Sequence, residues 1–206
     1  MNLLYRSLRL LGVVLTKILF RLKVTGREEI PRTGAFILVS NHVSYLDPVV
    51  LGVASFRELH FMAKETLFRN PLFGMLIRSL NAFPLRREEQ DPASLREALH
   101  QLHRGKVLVV FPEGGRSRTG DLGPARPGIG LLASHSGVAV VPVYLSGTDR
   151  ALPRSGCFIR PVPVSVHFGK ALFFEGDSDK GHRREAYQAF ADKLMDRLRE
   201  IKSLTK

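Results

Sequence analysis

Apolar and polar residues alternate along the chain in blocks that predict strands and helices in turn. The largely apolar runs at 35–40 and 106–111 predict core strands, because each is too short for a helix. Segments whose apolar positions recur every three or four residues, such as 94–103 and 185–201, predict amphipathic helices. The alternation of these two patterns predicts an α/β fold with a mostly parallel central sheet flanked by helices.

Other segments follow the same two patterns. Further strands are expected at 59–63, 138–145 and 162–168, and further helices at about 49–56, 72–80 and 128–136. The strand at 162–168 is expected near the edge of the sheet, since Pro161 and Pro163 cannot donate a backbone hydrogen bond to a neighbouring strand.

The first two dozen residues predict a helix of a different kind. Apolar residues spaced by four and three form one narrow stripe on this helix: Leu4, Leu8, Leu11, Leu15, Ile18 and Leu22. Basic residues occupy the other half of the helix: Arg6, Arg9, Lys17, Arg21 and Lys23. The longest uncharged run, Leu10 to Thr16, is far shorter than the roughly 20 residues of a spanning helix.

Such a helix is expected to lie in a membrane interface, with leucines among acyl chains and basic residues toward lipid phosphates. The alternative is an amphipathic helix packed on the domain, and both hold if it packs at the mouth of an acyl channel. We therefore divide the chain into a membrane-associating helix at 1–25 and a single α/β domain at 26–206.

The composition narrows the classes of partner. The 206 residues fit one domain, and their net charge of +12 indicates an anionic partner, either nucleic acid or a lipid surface. No helix-turn-helix signature or RNP-like aromatic pattern accompanies the charge, so we expect an anionic membrane surface and no nucleic acid. The one cysteine, Cys157, rules out an internal disulfide and fits a reducing compartment. No metal-ligand spacing and no glycine-rich phosphate loop occurs, so neither a metal nor another cofactor is expected.

The candidate chemistry lies where the strand at 35–40 ends. His42 leaves this strand, and Asp47 stands five positions later, beside Pro48, which suits the first turn of a helix. An imidazole can take a proton from an alcohol when a carboxylate fixes its tautomer. Ser44 lacks the glycine-flanked elbow of an enzyme nucleophile, so the hydroxyl of a substrate is expected to attack instead. The alternative is an ordinary loop histidine near a capping aspartate.

A second polar loop follows the strand at 106–111. It contains Glu113, and Gly114 and Gly115 allow its backbone to turn tightly and approach a ligand. Arg116 and Arg118 carry planar guanidinium groups suited to phosphate oxygens. Solvated arginines on a glycine-rich turn are the alternative, but two such loops at two strand ends favour a ligand site.

Four blocks of the chain resemble, in order, those of the glycerolipid (lysophosphatidate-type) acyltransferases. Residues 41–48 resemble the His-x4-Asp block, and residues 81–87 the block of a glycine, an apolar strand and an arginine. Residues 111–117 resemble Phe-Pro-Glu-Gly-Thr-Arg-Ser, and residues 140–144 a strand with an internal proline. The resemblance extends from about Gly34 to Gly147 and is specific because the blocks keep their order.

The resemblance implies a role for each matching residue. His42 is the general base toward a glycerol hydroxyl and Asp47 orients it. The substrate-binding residues are Arg87 and Arg116 for the acceptor phosphate, Glu113 for the glycerol portion, and Gly114. Whether Arg86 shares the task of Arg87 or points to the opposite face of a strand stays open.

Two positions depart from the family pattern. Asn81 stands in place of a glycine, although asparagine tolerates a left-handed backbone better than most residues. Gly115 stands in place of a threonine, which removes a hydroxyl near the expected phosphate site and leaves the acceptor open.

The resemblance implies an acyltransferase that uses acyl-CoA or acyl carrier protein as donor and a lysophospholipid as acceptor. The expected acceptor is 1-acylglycerol 3-phosphate, and the expected location is monotopic, at the cytoplasmic face of the inner or plasma membrane. The alternatives are transfer to another lysolipid and a non-catalytic protein that binds anionic lipid.

Overall fold

A computed structural model describes residues 3–85, 92–156, 158–176 and 182–205 of the chain. Its strands are β1 (Lys23–Thr25), β2 (Phe36–Ser40), β3 (Leu59–Lys64), β4 (Ala82–Leu85), β5 (Val107–Val110), β6 (Ala139–Ser146) and β7 (Ser165–Phe168). Its helices are α1 (Leu3–Phe20), α2 (Asp47–Ala54), α3 (Pro71–Ser79), α4 (Pro92–His103), α5 (Gly128–Ser136), α6 (Thr148–Ala151) and α7 (Arg183–Leu204).

The strands form one sheet in the order β1-β7-β6-β2-β5-β3-β4. Neighbouring strands are parallel except for β6 and β7, which confirms the predicted α/β fold with a mostly parallel sheet. Every residue of the central strand β2 is buried, as expected for a continuous apolar run covered on both faces.

Helices cover both faces of the sheet. On one face, α2 packs with Phe36 and Leu38 of β2. On the other face, α4, α5 and α7 pack against Ile37 and Val39 of the same strand. Two crossovers run in the same direction across the sheet: the one from β2 through α2 to β3, and the one from β3 through α3 to β4. Because such crossovers are right-handed, α3 lies on the same face as α2.

This topology opens a crevice between β2 and β5. The chain leaves β2 through α2 on one face, and it leaves β5 toward α5 on the other face. Adjacent strands whose connections part in this way bind ligands beyond their carboxyl ends. The two loops singled out by their sequence, after β2 and after β5, therefore meet at this crevice.

Helix α1 packs on the domain through a different face from its leucine stripe. Tyr5, Thr16 and Phe20 are buried, and the Tyr5 hydroxyl accepts a hydrogen bond from the backbone N–H of Leu59 at 3.3 Å. Four members of the stripe are exposed: Leu4, Leu11, Leu15 and Ile18. The helix thus rests on the protein and still presents its leucines outward. No helix in the described ranges is long and apolar enough to cross a membrane.

Two local features differ from the expectations. The helix ends at Phe20, and residues 23–25 form the edge strand β1. The strand expected near the edge, β7, lies second from it. That strand runs antiparallel to β6. Arg9, expected to face lipid, instead donates to the carbonyls of Gly52 and Ser55 at 3.1 and 2.6 Å. These carbonyls lie at the end of α2, where a cation is favourable.

Candidate active site

His42 and Asp47 form a hydrogen-bonded pair at the crevice. The Nδ1 atom of His42 lies 2.7 Å from Oδ2 of Asp47. The aspartate side chain is fully buried, whereas 18% of the histidine side chain is exposed. Asp47 is the first residue of α2, and Pro48 follows it in the first helical turn, as the sequence predicts. The pair therefore has a fixed carboxylate and an imidazole that a ligand can reach.

The hydrogen bonds of Asp47 determine the tautomer of His42. Oδ2 of Asp47 also accepts the backbone N–H groups of Val43 and Ser44 at 2.7 and 2.8 Å. An ionised carboxylate can only accept hydrogen bonds, so Nδ1 of His42 donates and Nε2 keeps its lone pair. An imidazole in this state is ready to take a proton at Nε2.

An aromatic ring supports the imidazole from one side. Phe111 follows β5, and its ring stacks on His42 with 4.0 Å between centroids and 18° between planes. This contact limits rotation of the imidazole about its side-chain bonds. In the sequence, Phe111 ends an apolar strand and begins the block at 111–117, and neither pattern predicts its contact with His42.

Backbone and carboxylate groups join the two loops. Oε1 of Glu113 accepts the backbone N–H of His42 at 3.3 Å, and Oε2 accepts that of Gly123 at 3.2 Å. The carbonyl of His42 in turn accepts the backbone N–H of Ser117 at 2.7 Å. Glu113 therefore holds the histidine loop against the loop that follows β5.

Arg116 lies over Tyr45, a residue that stands between His42 and Asp47 in the sequence. Its guanidinium carbon is 3.6 Å from the centroid of the Tyr45 ring, a close cation–π contact. Its Nη1 atom is buried and makes no hydrogen bond within the described part of the chain. Arg154 donates to the carbonyl of Arg116 at 2.8 Å and fixes the backbone there. Arg116 as a whole is half-buried, and its planar guanidinium group is of the kind that binds anionic ligands.

Gly114 has a left-handed backbone conformation, which a side chain would strain. Its φ angle is 72°, and a Cβ atom there would lie 2.7 Å from Nε of Arg126. The backbone N–H of Gly114 donates to the carbonyl of Phe111 at 3.0 Å and closes the turn after β5. The glycine thus sets the path of the loop that carries Glu113 and Arg116.

Two buried polar residues secure the histidine loop. The Asn41 side chain donates to the carbonyl of Leu145 at 3.0 Å and accepts its N–H at 2.8 Å. The Ser44 hydroxyl donates to the carbonyl of Leu152 at 2.9 Å and accepts the N–H of Leu46 at 3.2 Å. Because the Ser44 proton is engaged with a carbonyl, this serine is not poised as a nucleophile, in agreement with the sequence analysis.

The remaining predicted positions fall near β4. Arg87 lies outside the described residues, as does Arg86. Asn81, which replaces a family glycine, has a φ angle of 62°, and its side chain donates to Glu58 at 3.0 Å. Asn81 therefore has a left-handed backbone, which asparagine tolerates better than most residues. Within residues 3–85, 92–156, 158–176 and 182–205, no group of three or more His, Cys, Asp or Glu side chains is arranged to hold a metal ion.

Comparison with known proteins relates this arrangement to one family. Residues 21–146 match the model of the Acyltransferase family. A 1-acyl-sn-glycerol-3-phosphate acyltransferase of Bacillus subtilis is 27% identical over 185 residues, which cover 88% of each chain. The chloroplastic 1-acyl-sn-glycerol-3-phosphate acyltransferase LPAT1 of Arabidopsis thaliana is 33% identical over 65% of this chain, but only 38% of the plant protein is matched.

A solved structure is similar over nearly the whole chain. The 1-acyl-sn-glycerophosphate acyltransferase of Thermotoga maritima superposes with a TM-score of 0.77 at 26% sequence identity. The match covers 98% of this chain and 80% of the Thermotoga protein.

Proposed function

The chain belongs to the acyltransferase family, and on this premise we propose that it transfers a fatty acyl group to the free hydroxyl of 1-acylglycerol 3-phosphate, giving phosphatidate. Acyl transfer follows from family membership. The acceptor is proposed because relatives matched over most or part of their length carry this activity in their names. The donor is proposed to be an acyl thioester, acyl-CoA or acyl carrier protein.

The observation that carries this proposal is the position of Arg116 beside the His42–Asp47 pair. A free Nε2 lone pair serves to deprotonate a hydroxyl, and a guanidinium group serves to bind a phosphate. Tyr45 contacts Arg116 and lies within the same loop as His42, so the two functions meet at one end of the sheet. An acceptor that carries both a hydroxyl and a phosphate, a few bonds apart, suits this combination.

The proposed reaction needs one transfer step and no acyl-enzyme. Nε2 of His42 takes the hydroxyl proton while the oxygen attacks the thioester carbonyl, and a tetrahedral oxyanion forms. Its collapse breaks the C–S bond and leaves the new ester, and the departing thiolate takes the proton from the imidazolium. Asp47 stabilises the imidazolium through the 2.7 Å hydrogen bond.

The substrate-binding roles are part of the same proposal. Arg116 binds the acceptor phosphate, and Arg87 is proposed to share this task. Glu113 is proposed to position the glycerol portion, which it does while holding the two loops together through its bonds to His42 and Gly123. Gly114 contributes by letting the backbone turn close to the ligand.

The proposed location is a membrane surface, at its cytoplasmic face, with α1 as the membrane-associating segment; residues 23–25, expected to belong to that segment, form β1 of the catalytic domain instead. Support comes from the exposed leucine stripe of α1, since an apolar helix face turned away from its own domain suits an acyl-chain environment. The cytoplasmic face is proposed because both candidate donors are soluble cytoplasmic thioesters.

An acceptor and donor panel tests the proposed function. Purified protein is given acyl-CoA or acyl carrier protein with lysophosphatidate, lysophosphatidylglycerol, lysophosphatidylethanolamine or glycerol 3-phosphate. We expect lysophosphatidate to have the highest kcat/KM. Preference for another lysolipid would contradict the proposed acceptor, and it would fit the absence of the threonine hydroxyl at Gly115. A stable acyl adduct formed from donor alone would contradict the single-step mechanism.

A further inference from the structure

Helix α3 exposes apolar side chains that the fold does not use. Four residues, here called the α3 surface, are involved: Leu72, Phe73, Met75 and Leu76. Their exposed fractions are 75%, 44%, 66% and 45%. Among the nine residues of α3, only Gly74 is buried. Four neighbouring apolar residues left in water on so short a helix indicate an interaction surface.

Polar and backbone contacts account for how α3 is held. The Asn70 side chain accepts the backbone N–H of Phe73 at 3.0 Å and caps the helix. Pro71 suits the first turn. A Cβ atom on Gly74 would lie 3.0 Å from the carbonyl oxygen of Phe68, so the helix sits close to the preceding turn there. None of these contacts uses the side chains of the α3 surface, so holding the helix in place does not explain why they are apolar.

The α3 surface lies on the same face of the sheet as α1 and α2. The α1 leucine stripe is exposed on this face, and Val49 and Phe56, at or near α2, are 49% and 44% exposed. On the opposite face, α4, α5 and α7 expose one large apolar side chain within the described residues, Leu204 at the end of α7. Among the helices, exposed apolar side chains are therefore concentrated on the side that carries α1; outside the helices, Phe158, Ile159 and Phe173 are also exposed.

Basic residues border the α3 surface. Arg69 precedes the helix and Arg78 lies in its last turn, and both are exposed. The sequence from Thr66 to Leu85 contains no acidic residue, and the nearest acid before it is Glu65, in the turn that precedes α3. The Arg78 guanidinium lies 4.8 Å from the centroid of the Phe68 ring, which keeps it beside the apolar surface. Apolar side chains bordered by arginines match the boundary between acyl chains and anionic headgroups.

We propose that the α3 surface is a second contact with an anionic lipid bilayer, which together with the α1 leucine stripe fixes the orientation of the domain on the membrane. The proposal rests on the proposed function in one respect, since the acceptor is taken to reside in that bilayer. Two separate contacts define an orientation that a single helix does not, because one contact leaves the domain free to tilt about it.

Vesicle binding by a double variant tests the proposal. Leu72→Gln/Met75→Gln removes two of the most exposed apolar side chains with helix-compatible residues. We expect its partition coefficient onto vesicles of phosphatidylglycerol and phosphatidylcholine to fall about a hundredfold in sedimentation, roughly tenfold for each side chain. Leu204→Gln, a matched loss of an exposed leucine on the other face, is expected to bind as the wild type does. Unchanged binding by the double variant would overturn the proposal.

A second readout separates this proposal from the proposed function. Short-chain lysophosphatidate below its critical micelle concentration presents the acceptor without a bilayer. We expect the double variant to acylate this soluble acceptor at the wild-type rate and to lose most activity on vesicles. Loss of both activities would place α3 in the reaction and contradict a lipid-contact role. A wild type that acylates neither acceptor, combined with weakened vesicle binding of the variant, would refute only the proposed function.

Gel filtration of the same proteins tests whether a second copy of the chain, and not a bilayer, covers the α3 surface. If the wild type is a dimer and the double variant a monomer with unchanged vesicle binding, the α3 surface joins two copies of the chain. That result would overturn the proposal. An unchanged elution volume with weakened vesicle binding supports it.

Discussion

Replacing Asp47 by asparagine isolates the role of the buried carboxylate. In the structure, one oxygen of Asp47 accepts from Nδ1 of His42 and from two backbone N–H groups. In an asparagine of the same shape, the atom at the position of Oδ2 is either the carbonyl oxygen or the amide nitrogen. The oxygen keeps all three hydrogen bonds but lacks the negative charge that stabilises the imidazolium. The nitrogen donates to Nδ1, forces the proton onto Nε2, where the base needs a lone pair, and leaves the two backbone N–H groups without an acceptor.

The expected cost in rate follows from the lost negative charge and from this change of tautomer. In a His–Asp pair that acts as a base, the same substitution lowers kcat by roughly 10⁴-fold. We expect a fall in kcat of about 10³- to 10⁴-fold, equivalent to about 4 to 5.5 kcal/mol of transition-state stabilisation. KM for lysophosphatidate should change little, because Asp47 is fully buried and does not contact a ligand.

The assay is steady-state acylation of lysophosphatidate by wild type, Asp47→Asn and the control Asp149→Asn. Asp149 also lies near the carboxyl edge of the sheet, in the first turn of α6, but its side chain is exposed. Circular dichroism confirms that each variant is folded. A folded Asp47→Asn enzyme with kcat within tenfold of the wild type would refute the role of Asp47 in setting the tautomer, and a similar loss in Asp149→Asn would show that the effect is not specific.

Three further predictions follow from other contacts. Tyr45→Ala should raise KM for the acceptor about fivefold to thirtyfold with a smaller change in kcat, because the Tyr45 ring orients Arg116. Tyr45→Phe keeps the ring and should have wild-type kinetics. Equal losses in both variants would contradict this prediction. Burial lowers the pKa of His60, so the unfolded chain binds a proton more readily than the folded one. The free energy of unfolding should therefore be at its highest above the pKa of the unfolded chain, about 6.5. It should decrease as the pH falls below that value, by at most about 1.4 kcal/mol per pH unit. Urea unfolding at two pH values should show that the free energy of unfolding decreases less at the lower pH in His60→Gln than in the wild type. An equal decrease in both proteins would contradict this prediction. Gly130→Ala should destabilise the protein by about 3 kcal/mol, because its Cβ would fall 2.2 Å from a backbone oxygen of α7, whereas Gly128→Ala meets nothing within 4 Å and should keep the wild-type Tm.

The parts of the fold that local pattern determines were predictable from sequence. The strand β2, the helix that begins at Asp47 and the left-handed backbone at Asn81 each follow from residue types within a few positions. The close approach of His42 and Asp47 follows too, because a strand end and a helix start five residues apart leave little freedom.

Other features depend on residues that are distant in the chain, and no local pattern indicates them. Phe111 stacks on His42 across 69 positions, a separation fixed only when β2 and β5 pair. The place of β7 depends on β1, a three-residue strand too short to be recognised from its alternation. Likewise, a helical wheel predicts that Arg9 faces lipid, because it does not show the two carbonyl groups at the end of α2 to which Arg9 donates.

The most direct test of the account is the rate at which His42→Ala converts lysophosphatidate and an acyl thioester to phosphatidate on vesicles. The wild type is expected to form phosphatidate. The variant is expected to bind the same vesicles as the wild type does but to form phosphatidate at a rate lowered by about 10²- to 10⁴-fold. A folded, vesicle-bound His42→Ala protein that forms phosphatidate at the wild-type rate would contradict the claim that this imidazole is the base.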